Sequence, residues 1–181
     1  MKMLVAAACL LLASPMVQPL SAQSAPADRG PDLGALQPLA FLVGNWEAKT
    51  PQNGAVQSAG TYAFQPELNN HVLARHTVSK AGCKGPATFD CEHTDLLYVF
   101  QDAPGEPLKA IYFDNEGHVL HYAVTTPDAT TAVFLTDPAA PGPQFKLVYE
   151  LKAAVMTGKF QMKMPGQTEW KSYLEWSGAK K

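Results

Sequence analysis

Residues 36–46 read Leu36-Gln37-Pro38-Leu39-Ala40-Phe41-Leu42-Val43-Gly44-Asn45-Trp46, and their reading decides the rest. Leu36, Leu39 and Leu42 recur at three-residue spacing and, with Phe41, make one apolar stripe. The stripe is too short to be a stable helix alone, so it must lie against something. Gly44 then breaks the period and frees the backbone to change from helix to strand. Trp46 opens the extended segment that follows. The pattern suggests a plug: a helical turn across one end of a β-structure, with the indole turned into the closed end. A simpler reading makes the segment merely the first core element. Both bury Trp46, and they differ in whether it seals a cavity.

Beyond Trp46 the chain is punctuated at short intervals by turn-forming residues. The signals include Pro51–Gly54, Pro66–Asn70, Ala103–Pro107, Asn115–Gly117, Thr126–Asp128, Asp137–Pro143 and Met164–Gly166. Each supplies a residue that fixes φ or tolerates positive φ. Between them lie segments of strand length, leaving no room for the helices of a βαβ unit. Alternation is clearest late in the chain. Phe145, Leu147, Tyr149 and Leu151 share one face, with Lys146, Glu150 and Lys152 opposite. Met156, Phe160, Met162 and Met164 oppose Thr157, Lys159, Gln161 and Lys163, and Trp170, Leu174 and Trp176 oppose Glu169, Lys171 and Glu175. A period of two is what one-sided burial of an antiparallel strand demands. Strands are expected at 45–50, 55–65, 71–79, 94–101, 108–114, 118–126, 131–136, 144–152, 155–163 and 168–176. The segments 94–101, 108–114 and 131–136 are apolar on both faces, as though part of their outer surface were covered by the opening segment or a partner chain. A long meander must manage its edges, and closure removes them. The expected fold is all-β: an antiparallel up-and-down barrel of about ten strands with a short N-terminal helical plug.

The chain has 181 residues, 46% of them apolar and 17% charged, enough for one full core in one domain. The formal net charge is -2, which gives no basic face for nucleic acid. Lys2 precedes an apolar run over Met3–Ala13, followed by Pro15 and small residues. That run is too short to span a bilayer and has the pattern of a signal peptide. The expected organisation is a signal peptide over 1–24, cleaved after Ala22 or Ser24, a flexible linker over 25–34, and one barrel domain over 35–178. The mature protein is then exported, periplasmic or secreted, with no membrane span. Cys9 leaves with the signal, and Cys83 and Cys91 remain in an oxidising compartment, where a disulfide tying the base of a loop is expected. A metal site from Cys83, Cys91 and His93 matches no usual zinc spacing.

The pattern Leu-x-x-Leu-x-x-Leu-Val-Gly-x-Trp over 36–46, followed by short strands, resembles the calycin-like barrels. Gly44-Asn45-Trp46 is similar to the lipocalin-type Gly-x-Trp that opens a first strand. The longer form is closer to nitrobindin-like proteins and to a related, largely uncharacterised bacterial family, which 67–76 (ELNNHVLARH) and 111–122 (IYFDNEGHVLHY) also resemble. The resemblance covers about residues 34 to 178 and implies a ten-stranded barrel with an internal cavity open at one end. Nitrobindins hold haem through a late histidine. Here the last histidine is His121, so haem is not carried over and no cofactor is expected. Lipocalins set a late basic residue against the motif tryptophan. Lys171 stands late in this chain, on the expected outer face, and the two arginines are Arg29 and Arg75. Arg75 is therefore the candidate for a buried or stacking role.

The histidines invite a metal reading, but His118 and His121, like His71 and His76, stand at spacings that put the members of each pair on opposite faces of a strand. Asp114 and Glu116 read as solvated turn carboxylates. No nucleophile elbow or phosphate loop is present in the sequence. What remains is the interior. Tyr62, Phe64, His76, Tyr98, Tyr112, Tyr122, Tyr149, Met162 and Trp170 are expected to face inward, with Arg75 or His76 meeting a polar head group and His121 as a further inward candidate. Such a lining suits a flat or flexible apolar ligand. The expected function is a non-covalent carrier or sensor of a small hydrophobic molecule. The alternatives are a filled-core interaction domain that packs against a partner or pairs as a homodimer, and an enzyme using His76 or His121 as base.

Overall fold

The structure, a computed structural model, describes residues 32–52, 55–79 and 92–181. The expected signal peptide, most of the expected linker, and Cys83 and Cys91 with their expected disulfide lie outside the described residues.

A 3-10 helix, Gly34–Leu42, precedes ten strands. They are β1 (Gly44–Gln52), β2 (Ala55–Glu67), β3 (Val72–Ser79), β4 (Thr94–Gln101), β5 (Leu108–Asp114), β6 (Val119–Asp128), β7 (Thr131–Thr136), β8 (Gln144–Lys152), β9 (Val155–Lys163) and β10 (Lys171–Lys180). Every strand pairs antiparallel with its sequence neighbours, and β1 pairs with β10, so the meander closes into a barrel. The seam runs from Trp46 opposite Lys180 to Lys49 opposite Ser177. The strand expectation holds closely except at the last. Strand β10 starts at Lys171, carries a register shift between Ser172 and Leu174, and runs on to Lys180.

The opening helix explains its own leucine spacing. A 3-10 helix has about three residues per turn, so side chains three apart eclipse. Leu36, Leu39 and Leu42 therefore form one row, and all three are buried. The Trp46 indole Nε1–H donates to the Leu42 carbonyl at 2.8 Å, tying the helix end to the first strand. Gly44, at φ +137, makes the turn between them. Asn70, in the β2–β3 turn, donates to the Asp32 carbonyl at 2.8 Å and pins the helix entrance to the same end of the barrel. The helix is thus a floor rather than a cover for the outer faces of the middle strands. On those faces Phe113 stays exposed. Among the described residues no helix is long and apolar enough to cross a membrane.

The floor and lower interior form one packed cluster that includes Leu33, the three helix leucines, Trp46, Phe64, Phe134 and Met156. Above it the strands alternate as one-sided burial requires. On β4 the inward positions are Asp95, Leu97 and Val99, and on β7 they are Ala132, Phe134 and Thr136.

Candidate functional site

Side chains do not fill the upper barrel. They leave a cavity of about 1050 Å³ at the end opposite the helix. One wall, from β8, β9 and β10, is apolar: Phe145, Leu147, Phe160, Met162, Leu174 and Trp176. Phe145 and Phe160 stack with ring centroids 5.7 Å apart. Trp176 lies flat over Gly158, where a Cβ would come within 2.1 Å of the indole carbons.

The cavity bottom is aromatic. Tyr62, Tyr149 and Trp176 meet there at centroid distances of 5.7 to 6.4 Å. Beneath them Trp46 stacks on Tyr62 at 6.3 Å, and Phe64 meets Tyr149 edge-on at 5.3 Å.

The opposite wall, from β3 to β6, is a buried ion network. Arg75 Nη1 donates to the Tyr149 hydroxyl at 2.6 Å, and Nη2 donates to Asp95 Oδ1. Both charged side chains are almost fully shielded from solvent, at 5% and 7% exposure. His93 follows at the rim, with Nε2 3.3 Å from Asp95 Oδ2 and Nδ1 3.1 Å from Glu116 Oε1. The Tyr112 hydroxyl is 3.2 Å from His93 Nε2 and donates to Asp114 Oδ2 at 3.1 Å. Asp114 also accepts from the backbone N–H groups of Glu116 and His118, at 3.0 and 2.8 Å, which fixes the β5–β6 turn beside the cavity mouth.

The electrostatics follow from this geometry. Burial works against the charge on Asp95, but the Arg75 guanidinium and the His93 ring outweigh it and hold the carboxyl below its usual range. Burial works against Arg75 too, and Asp95 and the Tyr149 hydroxyl together more than compensate. The hydrogen bond to Asp95 raises His93, with burial opposing and Glu116 adding to the rise. Burial pushes the Tyr62, Tyr112, Tyr122 and Tyr149 hydroxyls up, so all four stay neutral. Carboxylates on both sides of His93 favour the imidazolium, in which both nitrogens donate and neither offers a lone pair. The ring thus ties Asp95 on β4 to Glu116 in the β5–β6 turn. Among the described residues no cluster of side chains suits a metal ion.

Among the described residues, three buried polar atoms lack a hydrogen-bond partner: Tyr62 Oη, Arg75 Nε and Trp176 Nε1. The Trp176 indole is near enough to Tyr62 to oppose part of the rise in its hydroxyl pKa, but the pair does not reach hydrogen-bond geometry.

Of the residues expected to face inward, Tyr62, Arg75, Tyr112, Tyr122, Tyr149 and Met162 line the cavity. Phe64 points inward but is buried in the packed layer below. His76, Tyr98 and His121 do not face inward. On β3, Arg75 takes the inward position, so period two turns His76 outward, where it is 3.4 Å from Glu67 and edge-on to Tyr98. Tyr98 lies between the inward Leu97 and Val99, and His121 between the inward Leu120 and Tyr122. Trp170 precedes β10 and sits outside the barrel, with Lys146 Nζ 4.4 Å and Lys163 Nζ 5.0 Å from its ring. The late basic residue over the motif tryptophan is Lys180, with Nζ 5.8 Å from the Trp46 ring; Lys171 is exposed.

Sequence reasoning weighed His93 only beside Cys83 and Cys91, passed over Asp95, and took Asp114 as solvated, although its side chain is buried; Glu116 is exposed. A signal was there: Asp95 shares parity with the apolar Leu97 and Val99, so it had to be buried and needed a cation. A scan against protein-family models finds no match to this chain, and a search of curated proteins finds none either.

Proposed function

We propose that the protein is an exported container, a relative of the nitrobindin-like barrels, that carries or senses a small hydrophobic molecule held non-covalently in the barrel mouth. The supporting observation is the cavity of about 1050 Å³ above a fully packed floor. That volume is at the upper end of what small-molecule pockets need, roughly 300–1,000 Å³. A domain with a filled core has no use for it. Apolar walls on β8 to β10 favour an apolar body, and the buried ion network opposite gives that body one defined orientation.

Native mass spectrometry of protein purified from its exported compartment tests the reading. A co-purifying mass of a few hundred daltons, the size such a pocket takes, is the expected result. A clean dimer without bound small molecules would favour the interaction-domain alternative instead. For an enzyme, the histidines at the cavity are His93, whose two nitrogens are both engaged by carboxylates, and His118, whose Nδ1 lies 2.9 Å from Asp114 Oδ2.

A further inference from the structure

The cavity is aromatic at its floor and polar at its mouth. At the floor the Trp176 indole nitrogen is pressed on Gly158 and the Tyr62 hydroxyl on Gly178, where an added Cβ would come within 2.7 and 3.0 Å of them. Both residues therefore turn ring surface, not hydrogen-bonding atoms, toward anything held above them. Phe145, Leu147 and Phe160 continue that surface along the β8–β9 wall. An apolar body is best buried from the bottom up, which leaves its polar group at the mouth.

The mouth offers lone pairs. His118 lines it, has a side chain 63% exposed, and sets Nδ1 2.9 Å from Asp114 Oδ2. Asp114 is itself fixed by the backbone N–H groups of Glu116 and His118 and by the Tyr112 hydroxyl. Burial opposes its charge, but hydrogen bonds from the His118 backbone and ring keep it ionised. An ionised carboxylate can only accept, so Nδ1 carries the proton and the neutral ring presents Nε2 as an acceptor. Among the described residues nothing donates to that nitrogen. Glu116 Oε2 lies 3.9 Å from the same ring. The Glu116 carboxylate accepts from His93 and keeps lone pairs over, since it has about four. A head group that donates is what this mouth receives.

Charge selects among donors. Among the described residues the charged groups lining the cavity are Arg75 and His93 against Asp95, Asp114 and Glu116, with His118 beside Asp114 and Glu175 held by Lys159 at 2.9 Å. With the His118 ring neutral these groups, Lys159 included, leave one negative charge, and with it protonated they balance. Neither state offers an anionic head group an excess of positive charge, and both accept a cation.

Resting on the container reading, we propose that the cavity takes an amphiphile with its head outward: a primary amine on an apolar body, the ammonium received at the mouth by His118 Nε2 and the Glu116 carboxylate, the body seated on the aromatic floor.

Three probes with one body test this by titration calorimetry on the mature protein at about pH 8, above the ordinary imidazole range. They are 4-(1-pyrenyl)butylamine, its methyl ether counterpart 1-(4-methoxybutyl)pyrene, and 4-(1-pyrenyl)butanoate. The amine is expected to bind about tenfold more tightly than the ether, the ratio one charge-assisted hydrogen bond supplies, and the carboxylate no more tightly than the ether. In the doubly substituted His118→Leu/Glu116→Gln protein, checked for fold by circular dichroism, the preference for amine over ether should fall below about threefold while the ether binds as before. The pyrene emission of the bound amine should be shielded from iodide in solution. Emission as open to iodide as that of the free probe would put the body outside and overturn the proposal. Equal binding of amine and ether to the wild type, or tightest binding by the carboxylate, would overturn it while the container reading stands. A preference that survives the double substitution would overturn it too, because the amine would then be held elsewhere. Failure of all three probes to bind would remove the container reading and the proposal with it. Should the double variant not fold, His118→Leu alone, at an exposed side chain, gives the same comparison.

Discussion

Arg75 Nη1 donates to the Tyr149 hydroxyl at 2.6 Å, joining β3 to β8 across the barrel interior, 74 positions apart in sequence. Its other terminal nitrogen donates to Asp95 on the neighbouring β4. A guanidinium can serve both partners because its donors are fixed in a planar fork. Replacing Arg75 by methionine keeps the apolar stem and leaves Asp95 as a buried charge without its cation. Breaking a buried pair from one side costs about 3–5 kcal/mol. Urea unfolding of Arg75→Met should show a loss of that size. The double substitution Arg75→Met/Asp95→Leu should recover much of it, because the orphaned charge is gone. A single-variant loss below about 1 kcal/mol would mean that the pair is solvated and the wall is not the buried network described.

The floor depends on Trp46, which is 2% exposed and donates to Leu42 at 2.8 Å. Trp46→Ala removes a large buried ring and should destabilise the protein by about 3–5 kcal/mol. Trp46→Phe retains most of the packing but leaves the Leu42 carbonyl without its donor, a smaller cost of about 1–3 kcal/mol. The order of the two, read by thermal or urea unfolding, distinguishes a seal from a surface ornament. Equal, near-zero effects would show that the helix does not close the barrel.

Stability should depend on pH in two limbs of opposite sign. His93 is raised above its ordinary 6.5 by Asp95 and Glu116. Its stabilisation is therefore complete below pH 6.5 and is lost as pH climbs through the folded-state value. Asp95 and Asp114 are held below their ordinary 3.8, despite burial, by Arg75 and His93 for the first and by the His118 backbone N–H for the second. Their contribution is present above 3.8 and disappears as pH falls through the lowered values. Unfolding free energy should be highest and nearly flat between those windows. His93→Gln should abolish the neutral-to-alkaline decline and leave the acid limb from Asp114 in place. An unchanged alkaline limb in that variant would show that another group carries it.

The fold was legible because its signals are local. Turn residues and period-two alternation placed nine of the ten strands within a few residues, and the leucine spacing identified the plug. The cavity was harder because parity must be assigned strand by strand. Strand β8 alternates cleanly, and Tyr149 was placed correctly. Strands β3, β4 and β6 carry apolar residues on both faces, and there His76, Tyr98 and His121 were turned the wrong way. Arg75 was read as a candidate for a buried role, but the consequence for its neighbours was not drawn. An inward Arg75 forces His76 outward and requires a buried carboxylate one strand away, which Asp95 supplies two residues before Leu97, the cross-strand partner of Arg75. Trp170 was misplaced for another reason: the register shift at Ser172/Leu174 breaks the parity that links it to Leu174 and Trp176. No sequence pattern reveals the unpartnered donors, since they depend on three strands and the arginine tip converging.

Gly158 gives a direct handle on the cavity wall. It pairs with Trp176 across β9 and β10, and a Cβ on it would come within 2.1 Å of two indole carbons. The contact is with the rigid ring, not with the end of a flexible chain, so the ring itself must give way. Gly158→Ala should cost about 1–3 kcal/mol through this overpacking. Its backbone is not in the left-handed region, so the cost is steric rather than conformational. The displaced indole should enter the cavity and alter its tryptophan emission, and binding of any apolar probe should weaken in step with that shift. Pairing the substitution with Trp176→Leu removes the clash and should return most of the lost stability. If Gly158→Ala is neutral in both unfolding and emission, Trp176 does not lie across β9, and the apolar wall is assembled differently from the one described.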